Sequence, residues 1–261
     1  NCYDIPIPFL GNCYDGKTYR GFLTPYIPAK TILDLIVDIN KGCDPEVAED
    51  HKLNLCVRLI KLIDRIHHHD FIHRDIKPDN FLIEGTYESF RIYIIDFGLA
   101  KDLSSRVQQV ESARTTLTMV GGTPGYAPFE QCVSLSDSKT VQSDQFSIAM
   151  LVLTILNNGY NPFGDNLSDR EWINILNGTF ASSVRFHPLF EQYPEIRECL
   201  CTALSKEPHH RYSSTAEFRD AFVYAADQIK AQKRVEHAIP TRVSNGQIII
   251  WNQLHFMIFT K

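Results

Sequence analysis

The sequence predicts an α+β domain that is mostly helical. Apolar residues recur at helical spacing through residues 46–68 on more than one side, which is typical of a buried helix. Two short runs rich in apolar residues, 81–83 and 90–95, flank a turn at Gly85 and predict a pair of strands. Long helical segments combined with few short strands make α+β the predicted class.

The first predicted element is a two-stranded hairpin within residues 5–27. Pro6 and Pro8 suit an edge strand or the start of a strand. Turn-forming residues fill 12–17, and residues 18–23 mix aromatic and apolar side chains.

Two helices are expected next, at residues 29–40 and 46–68. The first is broken by Gly42, and the second starts at Asp44, a capping residue placed before Pro45. The first helix carries an apolar stripe at Ile32, Leu35, Ile36 and Ile39.

The second half of the chain predicts more helices and a tail. The helices are expected at residues 141–157, 172–176, 196–204 and 215–228. The last of them has Ser213 or Ser214 as its cap. In the tail, residues 244–246 predict a turn between two strands.

Composition indicates an ordinary globular protein. The chain has 261 residues, 44% hydrophobic and 22% charged, which suits one large domain or two small ones. The net charge of -5 argues against nucleic acid as a partner. Seven dispersed cysteines fit a reducing compartment, so we expect a cytoplasmic protein, with the nucleus left open.

The sequence shows neither a signal peptide nor a membrane span. Because the first residue is Asn1, we expect a fragment or an incomplete gene product. No stretch is apolar over 18 residues, so no transmembrane helix is predicted.

Two polar motifs carry candidate chemistry. Residues 71–80 read FIHRDIKPDN and place Asp75, Lys77 and Asn80 in one loop. Residues 94–100 read IIDFGLA and place Asp96 at the end of an apolar strand.

Together these motifs resemble the H-R-D-x-K-x-x-N and D-F-G motifs of eukaryotic-type protein kinases. The resemblance covers residues 5–228 and implies a kinase-like fold, mostly the helical C-terminal lobe with a remnant hairpin of the N-terminal lobe. It divides the chain into residues 1–28, the N-terminal remnant and hinge, residues 29–231, the C-terminal lobe, and residues 232–261, a tail without an assigned role.

The resemblance assigns roles within residues 71–80, the candidate catalytic loop. Asp75 is the base or positioner for the acceptor hydroxyl, and Lys77 neutralises charge on the transferred phosphoryl group. Asp96 and Asn80 bind Mg²⁺. The cofactors implied are ATP and Mg²⁺.

The resemblance places the adenine nucleotide at the hinge, with Thr24 as gatekeeper. Tyr26, Ile27 and Leu82 complete the implied nucleotide site. The alternative for residues 24–27 is a plain hairpin that leads into a helix.

Several further residues have implied structural roles. His73 packs against Phe97, which precedes Gly98. Asp144 holds the backbone of the candidate catalytic loop, the alternative being a plain helix cap.

Residues 122–130, GTPGYAPFE, resemble the peptide-docking segment of kinases, although Pro128 and Phe129 depart from the usual Ala-Pro-Glu. We call them the docking segment. Glu130 is retained, and its expected partner is Arg211 because a buried carboxylate needs one. Thr123 is expected to face Asp75.

The long segment between residues 96 and 130 implies control by phosphorylation. Arg74 precedes Asp75, and an arginine there can bind a phosphate through paired, charge-assisted hydrogen bonds. Thr116 and Thr118 are the candidate acceptors, the alternative being a merely solvated polar loop.

Lys77 favours a serine/threonine kinase over a tyrosine kinase, so the implied partner is a protein substrate with Ser or Thr acceptors. The sequence departs from the family because it shows no Gly-rich loop, strand lysine or helix glutamate. A catalytically inactive kinase-like scaffold is therefore the main alternative. A small-molecule kinase is disfavoured because it has no use for the docking segment.

Overall fold

The computed structural model describes residues 7–12, 18–23, 26–97, 101–102, 122–133, 140–238, 241–244, 247–252 and 255–259. Within these ranges helices predominate and all sheets are small and antiparallel. The predicted α+β class is confirmed. The division of the chain into an N-terminal remnant, a C-terminal lobe and a tail, with boundaries after residues 28 and 231, stays a prediction.

The N-terminal hairpin has the predicted form. Strand β1 (Ile7–Asn12) pairs antiparallel with β2 (Thr18–Leu23), with Ile7 opposite Leu23. The turn between them lies outside the described residues.

The helix predicted at residues 29–40 begins later than expected. Lys30–Thr31 forms strand β3, and helix α1 spans Ile32–Gly42. Thr31 ends the strand because its hydroxyl accepts a hydrogen bond from the Asp34 N–H at 3.2 Å, and Asp34 accepts one from the Thr31 N–H at 3.0 Å. This reciprocal cap fixes the helix start, and the bonds from Thr31 lower the pKa of Asp34.

Helix α2 (Pro45–His67) forms the centre of the molecule. Asp44 occupies the N-cap position, but its side chain makes no capping hydrogen bond, so the expected capping role is wrong. The buried face of α2 packs against α4 (Val141–Leu156) and α9 (Thr215–Ala238). Since α4 is apolar almost all round, it is enclosed by its neighbours.

The candidate catalytic loop lies between two small sheets. Strand β4 (Phe71–Ile72) enters it, and β5 (Phe81–Gly85) leaves it. Strand β5 pairs with β3 and with β6 (Phe90–Ile94), whereas β4 pairs with β7 (Lys101–Asp102). A short 3₁₀ turn at Pro78–Asn80 connects the loop to β5.

The remaining helices lie within residues 129–203. Helix α5 (Asp169–Asn177) is longer than the predicted 172–176, because Ser168 caps it. Helix α8 (Pro194–Ala203) lies close to the predicted 196–204, and it packs against both α4 and α9. Three short helices were not predicted: α3 (Phe129–Cys132), α6 (Phe180–Arg185) and α7 (Leu189–Gln192). They have too few turns to show a helical period.

The C-terminal elements extend beyond the prediction. The Ser214 hydroxyl accepts a hydrogen bond from the Glu217 N–H at 3.2 Å, which confirms one of the two predicted caps of α9. That helix runs past residue 228 to Ala238. Strands β8 (Thr241–Ser244), β9 (Gln247–Asn252) and β10 (His255–Phe259) form a separate antiparallel sheet. Strands β8 and β9 flank the predicted turn.

An aromatic cluster fastens the docking segment to the helices. Trp172 on α5 is fully buried, and its indole N–H donates to the Ala127 carbonyl at 2.7 Å. Phe163 and Phe180 contact the same ring, with centroids 5.6 and 5.8 Å away. Among the residues that the structure describes, no helix is long and apolar enough to cross a membrane.

Candidate active site

The backbone of the candidate catalytic loop is held by one buried carboxylate. Asp144 lies in the first turn of α4, and its two oxygens accept the His73 N–H at 2.7 Å and the Arg74 N–H at 2.8 Å. Arg74 has a φ of +71°, a left-handed conformation that is costly for a side chain of this size. The contacts from Asp144 compensate that cost.

Asp75 lies at the centre of a three-residue contact. One carboxylate oxygen is 2.9 Å from the Lys77 ammonium, and the other accepts a hydrogen bond from the Thr123 hydroxyl at 2.8 Å. Lys77 also donates to Thr123 at 3.0 Å. The structure therefore brings Thr123 of the docking segment to the predicted catalytic carboxylate, and the three side chains fix one another's orientation.

Asn80 and Asp96 lie at adjoining points of the same loop system. The Asn80 amide donates to the Asp75 backbone carbonyl at 2.7 Å and to its carboxylate at 3.0 Å. The backbone carbonyl of Asn80 accepts a hydrogen bond from the Ile95 N–H at 2.9 Å. Asp96 is the next residue after Ile95, so this bond holds the start of its segment beside Asn80. Asp96 is exposed and has a φ of +61°.

His73 links the loop to the segment that carries Asp96. Its side chain is fully buried, its Nε2 lies 3.1 Å from the Ile95 carbonyl, and its ring contacts Phe97 with centroids 4.9 Å apart. His73 thus has the packing neighbour that was expected. The Asp75 N–H also donates to the His73 Nδ1 at 3.4 Å, so the imidazole holds the two loops together.

Glu130 and Arg211 form a buried ion pair. Their atoms lie 2.6 and 3.0 Å apart in a two-pronged contact, and the side chains are 3% and 0% exposed. The Ser143 hydroxyl also donates to Glu130 at 3.0 Å. The pair fixes the end of the docking segment to the start of α4, next to Asp144.

Comparison with known proteins identifies this arrangement. The model of the protein kinase domain family matches residues 8–223, most of the chain. The chain belongs to the protein kinase family. The kinase-like fold implied by the sequence motifs is thereby confirmed.

Several curated kinases are similar to this chain. It is 29% identical over 186 residues to a calcium/calmodulin-dependent protein kinase from Metarhizium anisopliae, covering 70% of this chain and 44% of that one. It is 27% identical over 202 residues to a calcium/calmodulin-dependent protein kinase type 1 from Macrobrachium nipponense, covering 76% and 53%. A probable serine/threonine-protein kinase PknB from Lactococcus lactis is 26% identical, covering 66% and 25%. The chain thus matches about half or less of the length of each relative.

The predicted nucleotide residues of the kinase are partly described. Tyr26 is 90% exposed and Ile27 is half-buried, just before β3. Leu82 is half-buried on β5, where it pairs with Thr31 of β3. Thr24 lies outside the described residues. The nucleotide-binding roles of these residues stay predictions.

The residues with predicted regulatory roles are less completely described. Gly98, Thr116 and Thr118 lie outside the described residues, so the phosphorylation hypothesis stays a prediction. Arg74, the proposed phosphate ligand, is described and lies beside Asp75 in the loop.

Two residues near the candidate site, His67 and Gln131, were not predicted as site residues. His67 at the end of α2 contacts Asp144 through Nε2 at 2.9 Å and Thr215 through Nδ1 at 2.7 Å. Gln131 on α3 donates a hydrogen bond to the Arg74 carbonyl. Neither contact has a local sequence signal, because the partners lie far away along the chain.

Proposed function

We propose that this chain is part of an ATP-dependent serine/threonine protein kinase, which transfers the γ-phosphate of ATP to hydroxyl groups of protein substrates. The observation that carries the proposal is the Asp75–Lys77–Thr123 contact, with distances of 2.8–3.0 Å. Curated serine/threonine kinases among the similar proteins support the same class.

The chemistry of Asp75 suits the role of a positioning base. Its carboxylate oxygens are both engaged, which fixes the direction in which it can accept a proton from a substrate hydroxyl. Lys77 places a positive charge beside the Asp75 carboxylate, where it can neutralise negative charge on the transferred phosphoryl group. The docking segment contacts this carboxylate through Thr123, so a peptide bound there would be close to Asp75.

The oxygen donors of Asp96 and Asn80 fit a magnesium ion. A carboxylate and an amide oxygen are hard ligands, and Mg²⁺ is commonly bound by one or two protein carboxylates together with substrate phosphates. Bound Mg²⁺ would neutralise phosphate charge and orient the γ-phosphate. Among the described residues, no group of three or more His, Cys, Asp or Glu side chains is placed to hold a metal ion by itself.

The proposal is tested by the variant Asp75→Asn in the full-length protein. Because the side chain keeps its shape but loses its basicity, we expect phosphoryl transfer from ATP to Ser- and Thr-containing peptides to fall by about 10²- to 10⁴-fold. The thermal unfolding midpoint should change little. The rate is measured with radiolabelled ATP.

Asp79→Asn is the matched control. Asp79 lies in the same loop but is exposed, so this variant should keep the wild-type rate. Equal rates for Asp75→Asn and wild type would remove Asp75 from the mechanism. A folded wild-type protein without any transfer would favour the inactive scaffold instead.

We also infer a reducing, cytoplasmic location. Cysteines 43, 56, 132, 199 and 201 are free thiols within the described part of the chain. Burial raises the pKa of Cys132 and of Cys199 to about 12, which keeps these thiols protonated and unreactive. Free, unreactive thiols are typical of cytosolic proteins.

A further inference from the structure

The Arg74 carbonyl belongs to the peptide bond that joins Arg74 to Asp75. Asp144 holds the Arg74 N–H, but it does not contact the Arg74 carbonyl. Arg74 has a φ of +71°, a conformation that persists only where surrounding contacts hold the backbone. The direction of this carbonyl sets the direction of the following residue, so the group that holds it affects the placement of the Asp75 carboxylate.

That group is the side-chain amide of Gln131. Gln131 lies on α3, directly after Glu130, and is 1% exposed. Its Nε2 donates a hydrogen bond to the Arg74 carbonyl. Both polar groups of the Arg74 backbone are therefore held by buried side chains from other elements.

The same amide also contacts the start of the docking segment. A Cβ atom placed on Gly122 would lie 2.7 Å from the Gln131 Nε2, and Gly122 has a φ of +86°. A glycine at this position lets the segment approach the amide closely. Gln131 is therefore packed between Gly122 and Arg74, and it joins the docking segment to the candidate catalytic loop.

The oxygen of the Gln131 amide, Oε1, indicates that this side chain does more than fill space in the core. The Gln131 Oε1 is buried, and it has no hydrogen-bond partner among the described residues. An unsatisfied buried acceptor is unfavourable, and an apolar side chain of similar size would avoid it. The benefit of a glutamine here is the hydrogen bond that its Nε2 donates.

We propose that Gln131 is a positioning residue for Asp75. By holding the Arg74 carbonyl it keeps the strained peptide in the orientation that directs the Asp75 carboxylate towards Lys77 and Thr123. Gln131 is not expected to touch substrate or nucleotide. The inference rests on the proposed kinase function for its kinetic consequences, whereas its structural consequence can be measured independently.

The first variant is Gln131→Leu, which keeps the volume but removes the donor. Because misplaced catalytic groups slow chemistry more than binding, kcat should fall by about 10- to 100-fold. The KM for ATP should stay near the wild-type value. Amide hydrogen exchange in the peptide that covers residues 72–80 should become faster, since the Arg74 backbone loses one of the two buried side chains that hold it.

Gln145→Leu is a closely matched control. Gln145 is also fully buried, its Nε2 donates to a backbone carbonyl, that of Tyr212 at 3.2 Å, and its Oε1 also lacks a described partner. This variant should lose stability to a similar degree, but kcat and hydrogen exchange in residues 72–80 should stay as in wild type.

Gln131→Glu supplies a readout that a purely structural role would not give. The carboxylate cannot donate to the Arg74 carbonyl, but the protonated acid can, and burial favours the protonated form. The ratio of its kcat to the wild-type kcat should rise as the pH falls from 8 to 6. The same ratio for Gln131→Leu should stay flat. Because the variant is isosteric, it also serves if Gln131→Leu fails to fold.

The outcomes separate the two proposals. A wild-type protein without kinase activity would overturn the proposed function, and hydrogen exchange would still test the positioning role. Wild-type kcat and exchange in Gln131→Leu would overturn the role of Gln131 alone. Equal losses of kcat in Gln131→Leu and Gln145→Leu would reduce it to general stability.

Discussion

At the scale of single residues, the site depends on a few buried polar groups with several partners each. Asp144 accepts hydrogen bonds from the backbone of His73 and Arg74, and its Oδ2 lies 2.9 Å from His67. Thr215 in turn contacts His67, which connects α9 to the loop. Such networks are favourable when each member is satisfied, and they specify one conformation.

A residue-scale prediction concerns magnesium. Asp96→Ala should abolish Mg²⁺-dependent ATP binding, because it removes the charged ligand of the proposed pair. Asn80→Ala should weaken binding less, since a neutral oxygen is the poorer ligand. Isothermal titration calorimetry of full-length protein with Mg²⁺ and ATP measures both. Asp79→Ala, which removes an exposed carboxylate from the same loop, should bind as wild type does. Equal affinity in Asp96→Ala and wild type would show that Asp96 is not a ligand.

The sequence predicted the residues of the site unevenly. Asp75, Lys77, Asn80 and Asp96 were recognisable because the chemistry fixes their types and spacing within short motifs. His67 and Gln131 were missed, because their partners Asp144 and Arg74 lie 77 and 57 residues away in the chain. Asp144 and the Glu130–Arg211 pair also have distant partners, but the motif resemblance supplied those partners in advance.

At the scale of elements, helix starts are set by a few side-chain contacts. Helix α5 begins with a reciprocal cap, in which the Ser168 hydroxyl accepts the Glu171 N–H at 3.3 Å and Glu171 accepts the Ser168 N–H at 2.9 Å. The hydrogen bonds from Ser168 lower the pKa of Glu171. The cap positions Trp172, and thereby the docking segment that Trp172 holds.

An element-scale prediction follows for Ser168→Ala. Loss of the cap should lower the free energy of unfolding at pH 7 by about 1 kcal/mol, measured by urea denaturation. Ser183→Ala, at an exposed position of α6, should change it by less than about 0.5 kcal/mol.

The pH dependence of the stability difference between wild type and Ser168→Ala tests whether Glu171 takes part in the cap. A carboxylate with a lowered pKa stabilises the fold above its ordinary pKa, and this stabilisation is lost as the pH falls through the lowered value. The difference between wild type and Ser168→Ala should therefore shrink below about pH 4.3. A difference that is the same at pH 7 and pH 3.5 would show that Glu171 takes no part in the cap.

Helices and strands were predicted correctly where a repeating apolar pattern extended over many residues. The predictions failed where a few local contacts determine the start of an element. The hairpin β1–β2 and the helices α2 and α4 follow from their patterns. The helix expected at residues 29–40 starts late, because Thr31 pairs with β5 before it caps α1. Helix α3 has four residues, which is too short for a helical period to appear in the sequence.

At the scale of the whole molecule, Arg211 joins segments that are distant in sequence. Its guanidinium pairs with Glu130 and also donates to three backbone carbonyls, those of Gln142, Ser205 and Lys206, at 2.8–2.9 Å. The docking segment, the start of α4 and the segment after α8 therefore meet at one side chain.

The prediction at this scale compares two arginines. Arg211→Ala should lower the free energy of unfolding by about 3–5 kcal/mol, because it leaves a buried carboxylate without its partner. Arg185→Ala breaks a pair with Glu198 whose side chains are 55% and 71% exposed, and it should cost at most about 1 kcal/mol. Chemical denaturation measures both. Similar losses in the two variants would mean that burial does not make the Arg211 pair important.

The hydrogen bond from Trp172 to the Ala127 carbonyl gives the molecule a built-in optical reporter. The chain has two tryptophans, and the indole of Trp172 is shielded from water by Phe163 and Phe180 while its N–H points at the docking segment. Fluorescence from a buried indole is emitted at shorter wavelength than fluorescence from a hydrated one. If a bound peptide or a chemical modification displaces the docking segment, the emission maximum of Trp172 should therefore move to longer wavelength, and no attached dye is needed to detect it.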